Sequence, residues 1–243
     1  MGHQTVVERF RSARGHHSLV VLEGFHPLKH AIRFGAELIE VVCLSTEKLA
    51  GLGAQYAPDI TFDTHARVVP PEVFEELAPM PPPTGVIAIA HRPTVSLAEM
   101  LNDPAPAPVV LLENPRNLLN IGAAIRVSAA AGAAGVITTG VQDPWHPAAV
   151  IAGVGLQYAL PVTRVAAFPV CDRPLVVVDP DGDPLERVPA RAILAFGAER
   201  RGLSPELMAS ADHRISIPMS AGVSSLNVAT SVAVVLYTWR FGG

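Results

Sequence analysis

Cysteine is scarce. The two present, Cys43 and Cys171, form no Cys-x-x-Cys pair, which excludes a disulfide framework and a dithiol redox motif and fits a reducing compartment. A clean membrane-length apolar run is missing too. Leu118–Ile137 carries Asn120 and Arg126, and Ser225–Trp239 is short and holds Asn227 and Thr230, so the positive mean hydropathy reflects Ala and Val rather than a span. No apolar signal core or cleavage pattern follows Met1-Gly2-His3, and a cytoplasmic protein is expected. Charge is sparse: at 16% charged residues and net −4, the chain does not read as one that wraps nucleic acid over a broad surface. A local basic patch stays open, because Arg9, Arg11, Arg14, His3, His16 and His17 crowd the first seventeen residues against one acid, Glu8, and Arg200-Arg201 stand beside Glu199. A solvated, partly frayed helix accounts for the first cluster equally well.

Several motifs stop short of completion. His26 and His30 have helical ligand spacing, but no further His, Cys or acid pattern completes a site, so no metal is expected. Gly153-Val154-Gly155 lacks the third glycine of a dinucleotide fingerprint and reads as a packing contact. Gly-Val-Ser-Ser-Leu around Ser224 and Ser225 lacks the second glycine of a nucleophile elbow, and no partnered histidine follows. There is no internal repeat.

What remains is ample material for a core: 243 residues, 49% of them hydrophobic. Prolines 93, 104, 106 and 108 mark the clearest break, giving domains at 1–92 and 108–243 joined by a linker at 93–107, although Ser96–Leu101 reads as a short helix. In the first, strands are expected at Ser18–Leu22, Leu38–Leu44 and Val86–Ala90 and helices at Pro27–Phe34 and Pro71–Leu77, a small α/β unit. In the second, strands at Val109–Glu113, Gly135–Thr139, Leu175–Asp179, Ile193–Gly197 and Arg214–Pro218 alternate with helical stretches. That alternation predicts an α/β fold with a mainly parallel sheet covered by helices on both faces.

Three segments of the second half set polar residues against apolar runs: Asn120-Ile121-Gly122-Ala123-Ala124-Ile125-Arg126, Gly197-Ala198-Glu199-Arg200-Arg201-Gly202, and Ile217-Pro218-Met219 with Ser224-Ser225-Leu226-Asn227-Val228. Asn120, Arg126, Glu199 and Asn227 would lose solvation there unless they met one another or a polar ligand. The segments follow strands ending near Glu113, Gly197 and Pro218, and in parallel sheets ligand sites gather at such carboxyl ends. Plainer readings exist for each residue. Asn120 suits a cap for a helix beginning at Ile121, Asn227 a cap for Val228–Trp239, and Arg126 a snorkelling helix residue.

The ordered trio Asn-x-Gly-x-x-x-Arg, Gly-x-Glu-x-x-Gly and Ile-Pro-Met with Ser-Leu-Asn-Val resembles the SpoU (TrmH-like) branch of the SPOUT methyltransferases, over residues 109–240. Leu22-Glu23-Gly24 before a helix and Thr84-Gly85-Val86-Ile87-Ala88-Ile89-Ala90 resemble the substrate-binding domain related to ribosomal protein L30e. The resemblance implies S-adenosylmethionine-dependent methylation of a ribose 2′-oxygen in RNA, by a homodimer with a C-terminal trefoil knot. It also implies cofactor contacts at Gly197, Ile217 and Leu226.

The expected chemistry needs a ribose hydroxyl relieved of its proton and aligned with an already activated methyl. Arg126 matches the arginine to which the family assigns proton abstraction or positioning of the hydroxyl. Because a guanidinium is almost always protonated, positioning of the hydroxyl and stabilisation of the alkoxide is the favoured role, with proton abstraction the competing one. Asn120 and Asn227 would orient the ribose or Arg126, and Glu199 would fix Arg126 by a charge-assisted hydrogen bond. Two departures bear on which RNA is bound: Ala229 follows Val228 where relatives often carry serine, and His146–Leu160, with Ile151, is apolar for a segment touching RNA. Ribosomal RNA is the expected target. The alternatives are transfer RNA, a non-catalytic RNA-binding assembly factor on the same fold, and a small-molecule α/β enzyme.

Overall fold

The computed structural model describes residues 2–60, 62, 65–198 and 201–242. The chain forms two compact units, Met1–Thr94 with Trp145–Ala159, and Val95–Pro144 with Leu160–Gly243.

The first unit runs α1 (Gly2–Gly15), β1 (Leu19–Glu23), α2 (Phe25–Arg33), β2 (Leu38–Cys43), α3 (Thr46–Tyr56), β3 (Arg67–Val68), α4 (Pro71–Glu75) and β4 (Val86–His91). Its sheet has the order β1-β4-β2-β3, with β4 antiparallel to both neighbours and β2 parallel to β3. Val6, Phe10 and Ala13 fall on one face of α1 and pack with Val21, Val42, Phe74 and Ile87 in a single core. The N-terminal helix is therefore an integral layer, not a solvated one. Its basic residues are partly committed: Arg9 Nε and Nη2 reach Glu40 at 2.8 and 2.6 Å, and Arg14 binds Glu23 and the Leu77 carbonyl. Arg11 stays exposed.

The second unit opens with α5 (Leu97–Asn102), β5 (Val109–Leu112), α6 (Leu118–Ala131) and β6 (Gly135–Thr138). The chain then leaves it for α7 (Pro147–Ala152) and a 3-10 turn at Leu156–Tyr158. It returns through β7 (Val162–Arg164), β8 (Leu175–Pro184), β9 (Ile193–Phe196), α8 (Pro205–Ala209), β10 (His213–Ser216) and α9 (Val228–Phe241). The six strands are all parallel, in the order β10-β8-β9-β5-β6-β7. Val109, Leu111, Val177, Ile193 and Ala195 share a core with Met100 and Leu101 of α5 and with Leu207 and Met208 of α8. Val110 and Leu112, which alternate with them, are just as buried, so both faces are covered. Helices α6 and α9 pack on each other.

The boundaries differ from expectation in two places. Met100 and Leu101 are core residues, so α5 belongs to the second unit rather than to a linker. Trp145–Ala159 folds with the first unit: Trp145, Ala149 and Val150 are buried, His30 Nδ1 lies 2.6 Å from the Val154 carbonyl, and the Tyr158 hydroxyl donates to His91 O at 2.8 Å. That burial accounts for Trp145, Ala149 and Val150, whereas Ile151 keeps 43% exposure. A Cβ on Gly155 would come within 2.5 Å of Pro27 O, so this glycine does serve close packing. His30, the partner of His26 in the ligand-spaced pair, is committed to the backbone, and burial pushes its imidazole below the ordinary value.

Candidate active site

β5, β8, β9 and β10 run the same way, and the backbone groups at their carboxyl ends must be met by loops, side chains or a ligand. Glu113, one residue past β5, accepts from the Ser204 amide and hydroxyl, both at 2.6 Å. Ser204 in turn caps α8 by accepting from Leu207 N at 3.2 Å. This charge-assisted clasp holds the start of α8, and with it the loop after β9, at the end of β5.

That loop requires glycine at its root. A Cβ on Gly197 would lie 2.2 Å from the Gly202 carbonyl carbon. Gly202 itself has φ +64°, and its amide donates to Ala198 O at 2.9 Å, so the segment turns back on itself. The result is a cleft of about 260 Å³ in which Gly197, Ile217 and Leu226 lie together with Met219 and Val228. Ser224 and Ser225 also line it, as loop residues before α9.

One charged side chain lines this cleft among the described residues: Asp179, on β8 just beyond the pairing of Val178 with Phe196. Its Oδ1 accepts from Arg214 Nε at 3.0 Å, from Arg214 Nη2 and from the Asp181 amide at 3.0 Å. Burial pushes the carboxyl up, but the Arg214 and Asp181 hydrogen bonds outweigh it and hold the group below the ordinary carboxylate value.

Beside the cleft two helix starts meet. Asn227 caps α9, its Oδ1 accepting from Ala229 N at 2.9 Å and Thr230 N at 3.4 Å. Its Nδ2 donates to Asn120 Oδ1 at 2.9 Å. Asn120 is not the cap of its own helix. Asn117 is, accepting from Leu119 N at 2.8 Å and Asn120 N at 3.4 Å, and α6 therefore starts a turn earlier than the spacing suggested. Asn120 is thereby freed to face Asn227.

Arg126 stands apart. Six residues along α6 place it about 9 Å further on and about 240° around the axis from Asn120. It is exposed, and among the described residues no hydrogen bond or ion pair holds it. Glu199 lies outside the described residues. Of the four expected catalytic residues, one chain thus joins Asn120 to Asn227 directly and leaves Arg126 on another side of α6.

Residues 107–237 match the model of the SpoU rRNA methylase family. The chain belongs to this family. It is 30% identical over 249 residues, covering 96% of this chain and 90% of its relative, to a 23S rRNA (adenosine(1067)-2′-O)-methyltransferase of Streptomyces laurentii. A 23S rRNA (uridine(2479)-2′-O)-methyltransferase of Streptomyces viridochromogenes is 32% identical over 144 residues, covering 53% of this chain and 50% of that one. The solved SpoU methyltransferase AviRb from Streptomyces viridochromogenes, in complex with the cofactor AdoMet, superposes with TM-score 0.78 at 25% identity over 96% of both chains.

Within this SpoU domain, three polar residues escaped sequence reasoning. Asn117 was signalled by Pro115-Arg116-Asn117 just before an apolar run, and Asp179 by an acid closing a run of valines. Glu113 has a partner 91 residues away in Ser204, which spacing does not reveal.

Proposed function

We propose that this chain transfers a methyl group from S-adenosylmethionine to a ribose 2′-hydroxyl of ribosomal RNA. The observation that carries the reading is the cleft at the carboxyl edge, where Gly197, Ile217 and Leu226 converge in a SpoU-family chain. The cleft fits that cofactor chemically. Apolar side chains suit an adenine, and a glycine floor lets backbone groups reach it. When bound, S-adenosylmethionine supplies a methyl group already activated by its sulfonium.

The protein's task is then positioning. The 2′-hydroxyl must give up its proton to solvent water as the oxygen–carbon bond forms and the sulfur–methyl bond breaks, and Arg126 orients that hydroxyl with a neighbouring phosphate and stabilises the developing alkoxide. The Asn120–Asn227 bond fixes the starts of α6 and α9 relative to each other without adding charge. Glu199 is assigned to hold Arg126 in its working orientation.

A homodimer completes this reading. Support comes from α9, where Val234, Tyr237 and Phe241 keep 36%, 37% and 76% exposure along one helical face, with the Tyr237 and Phe241 rings stacked at 5.8 Å. A two-fold contact through that face would cover it and would give the exposed Arg126 a partner surface. The C-terminal segment is assigned the trefoil knot of the SPOUT fold, and the first unit the L30e-like role of binding RNA, in the cytoplasm. Support for RNA binding lies less in α1, whose Arg9 and Arg14 are paired, than in exposed His26 and Tyr56, whose rings stand 5.9 Å apart near Lys29.

The test is transfer of labelled methyl from S-adenosylmethionine to purified ribosomal and transfer RNA in parallel. Label in ribosomal RNA is expected. Label confined to transfer RNA would move the substrate, and no label in either would return the chain to a non-catalytic binding role.

A further inference from the structure

We infer that Asp179 is a cofactor-binding residue whose Oδ2 accepts a hydrogen bond from a ribose hydroxyl of S-adenosylmethionine. The inference rests on reading the cleft as the cofactor site and adds a side-chain contact to it. Three donors converge on Oδ1: Arg214 Nε, Arg214 Nη2 and the Asp181 amide. A carboxylate held only for an ion pair with arginine would normally present both oxygens to the planar fork. Here Arg214 spends Nε and Nη2 on one oxygen and shares Nη2 with Asp181 Oδ2 at 3.2 Å. Among the described residues no hydrogen bond is made to the other Asp179 oxygen, although the side chain is only 21% exposed and lines the cleft.

A carboxylate oxygen in that position is an acceptor fixed in place before the ligand arrives. Arg214 balances its charge, so its value to a ligand lies in the hydrogen bond more than in a counter-charge. That favours a neutral hydroxyl over the ammonium at the other end of the cofactor. Asp179 would then set the ribose while backbone at Gly197 and apolar side chains hold the base, and selectivity for a ribonucleoside ligand follows.

The experiment is calorimetric titration of the full chain with S-adenosylhomocysteine, with 5′-methylthioadenosine, which keeps the ribose and lacks the amino acid, and with the 2′-deoxy and 3′-deoxy forms of the latter. In Asp179→Asn the amide oxygen stays pinned by the same three donors and the NH2 faces the cleft, turning an acceptor into a donor. Both parent ligands should then bind roughly tenfold or more weakly. Removing the responsible hydroxyl should cost the wild type a similar factor and cost Asp179→Asn little. If the wild type binds both parents but tolerates loss of either hydroxyl, the inference is overturned and the cofactor reading stands. Weakening of S-adenosylhomocysteine alone would overturn it as well, by moving the contact to the amino acid. If the wild type binds none of these ligands, the cofactor reading itself fails. Should Asp179→Asn not melt cooperatively, the wild-type deoxy series decides.

Discussion

At the amino edge of the six-stranded sheet, Arg173 is 3% exposed and donates to five backbone carbonyls, of Met100, Leu101, Asp103, Ala107 and Arg191. At the carboxyl edge of the same sheet, Asp179 is held among the described residues through one oxygen, and Asn120 and Asn227 meet each other beside an open cleft. Both edges gather polar groups, buried at Arg173 and half-buried to exposed at Asp179, Asn120 and Asn227. The amino edge saturates them, using one guanidinium to tie the segment around α5 to the strand starts. Burial and the nearby Arg191 both push the Arg173 pKa down, and carbonyl dipoles in place of a carboxylate satisfy its donors. The carboxyl edge leaves capacity over. The proposed ligand site therefore falls at the edge whose polar cluster has an acceptor to spare.

Substitutions can separate the two edges. The largest effect is expected from Arg126→Ala, which should lower methyl transfer about a hundredfold or more while leaving the melting temperature and cofactor affinity near wild type. Activity within a few-fold of wild type would remove Arg126 from the mechanism. Arg126→Lys should fail similarly, since an ammonium does not reproduce a planar fork. Next comes Val234→Asp on the exposed face of α9, which should convert a micromolar dimer to monomer in sedimentation and abolish activity with it; a fully active monomer would remove the dimer from the account.

Arg173→Met should show the opposite pattern from Arg126→Ala. Leaving five carbonyls, two of them buried and three partly so, without their donor should cost about 3 kcal/mol and lower the melting temperature by about 6–12 °C. Specific activity at low temperature should persist. The smallest effect is expected for Asn227→Ala, which removes both the α9 cap and the bond to Asn120 and should cost about 1–2 kcal/mol in denaturant titration, with a modest loss of activity. If Asn227→Ala destabilises more than Arg173→Met, the division between the two edges is drawn in the wrong place.

Much of this was legible in the sequence because short valine- and isoleucine-rich runs between turn residues can hardly be anything but buried strands. Val109–Leu112, Gly135–Thr138 and Ile193–Phe196 form within a residue of where they were expected. Elements without such a signal were missed. α3 contains Gly51 and Gly53 and only a weak apolar face, and β7 is three residues long. β8 continues past its expected end at Asp179 through Pro180 and Gly182, and Gly182 lies against the backbone of Arg214 and Ile215. The site was legible as a set of residue types and not as a geometry. Asn117 and Asn120 are both good caps, and only the tertiary fold decides that the first caps α6 while the second turns to Asn227. Nor does any local pattern reveal that Trp145–Ala159 folds with the first unit, so a truncation at residue 92 would strip that unit of part of its core.

The central claim, methylation of a ribose oxygen in ribosomal RNA, has a direct chemical readout. A 2′-O-methyl group stops that oxygen from attacking the adjacent phosphodiester, so alkali leaves that linkage uncut. Ribosomal RNA labelled by the wild-type chain from S-adenosylmethionine and then hydrolysed with alkali should carry its label in resistant dinucleotides. Label recovered in mononucleotides, as methylation of a base would give, would contradict the account.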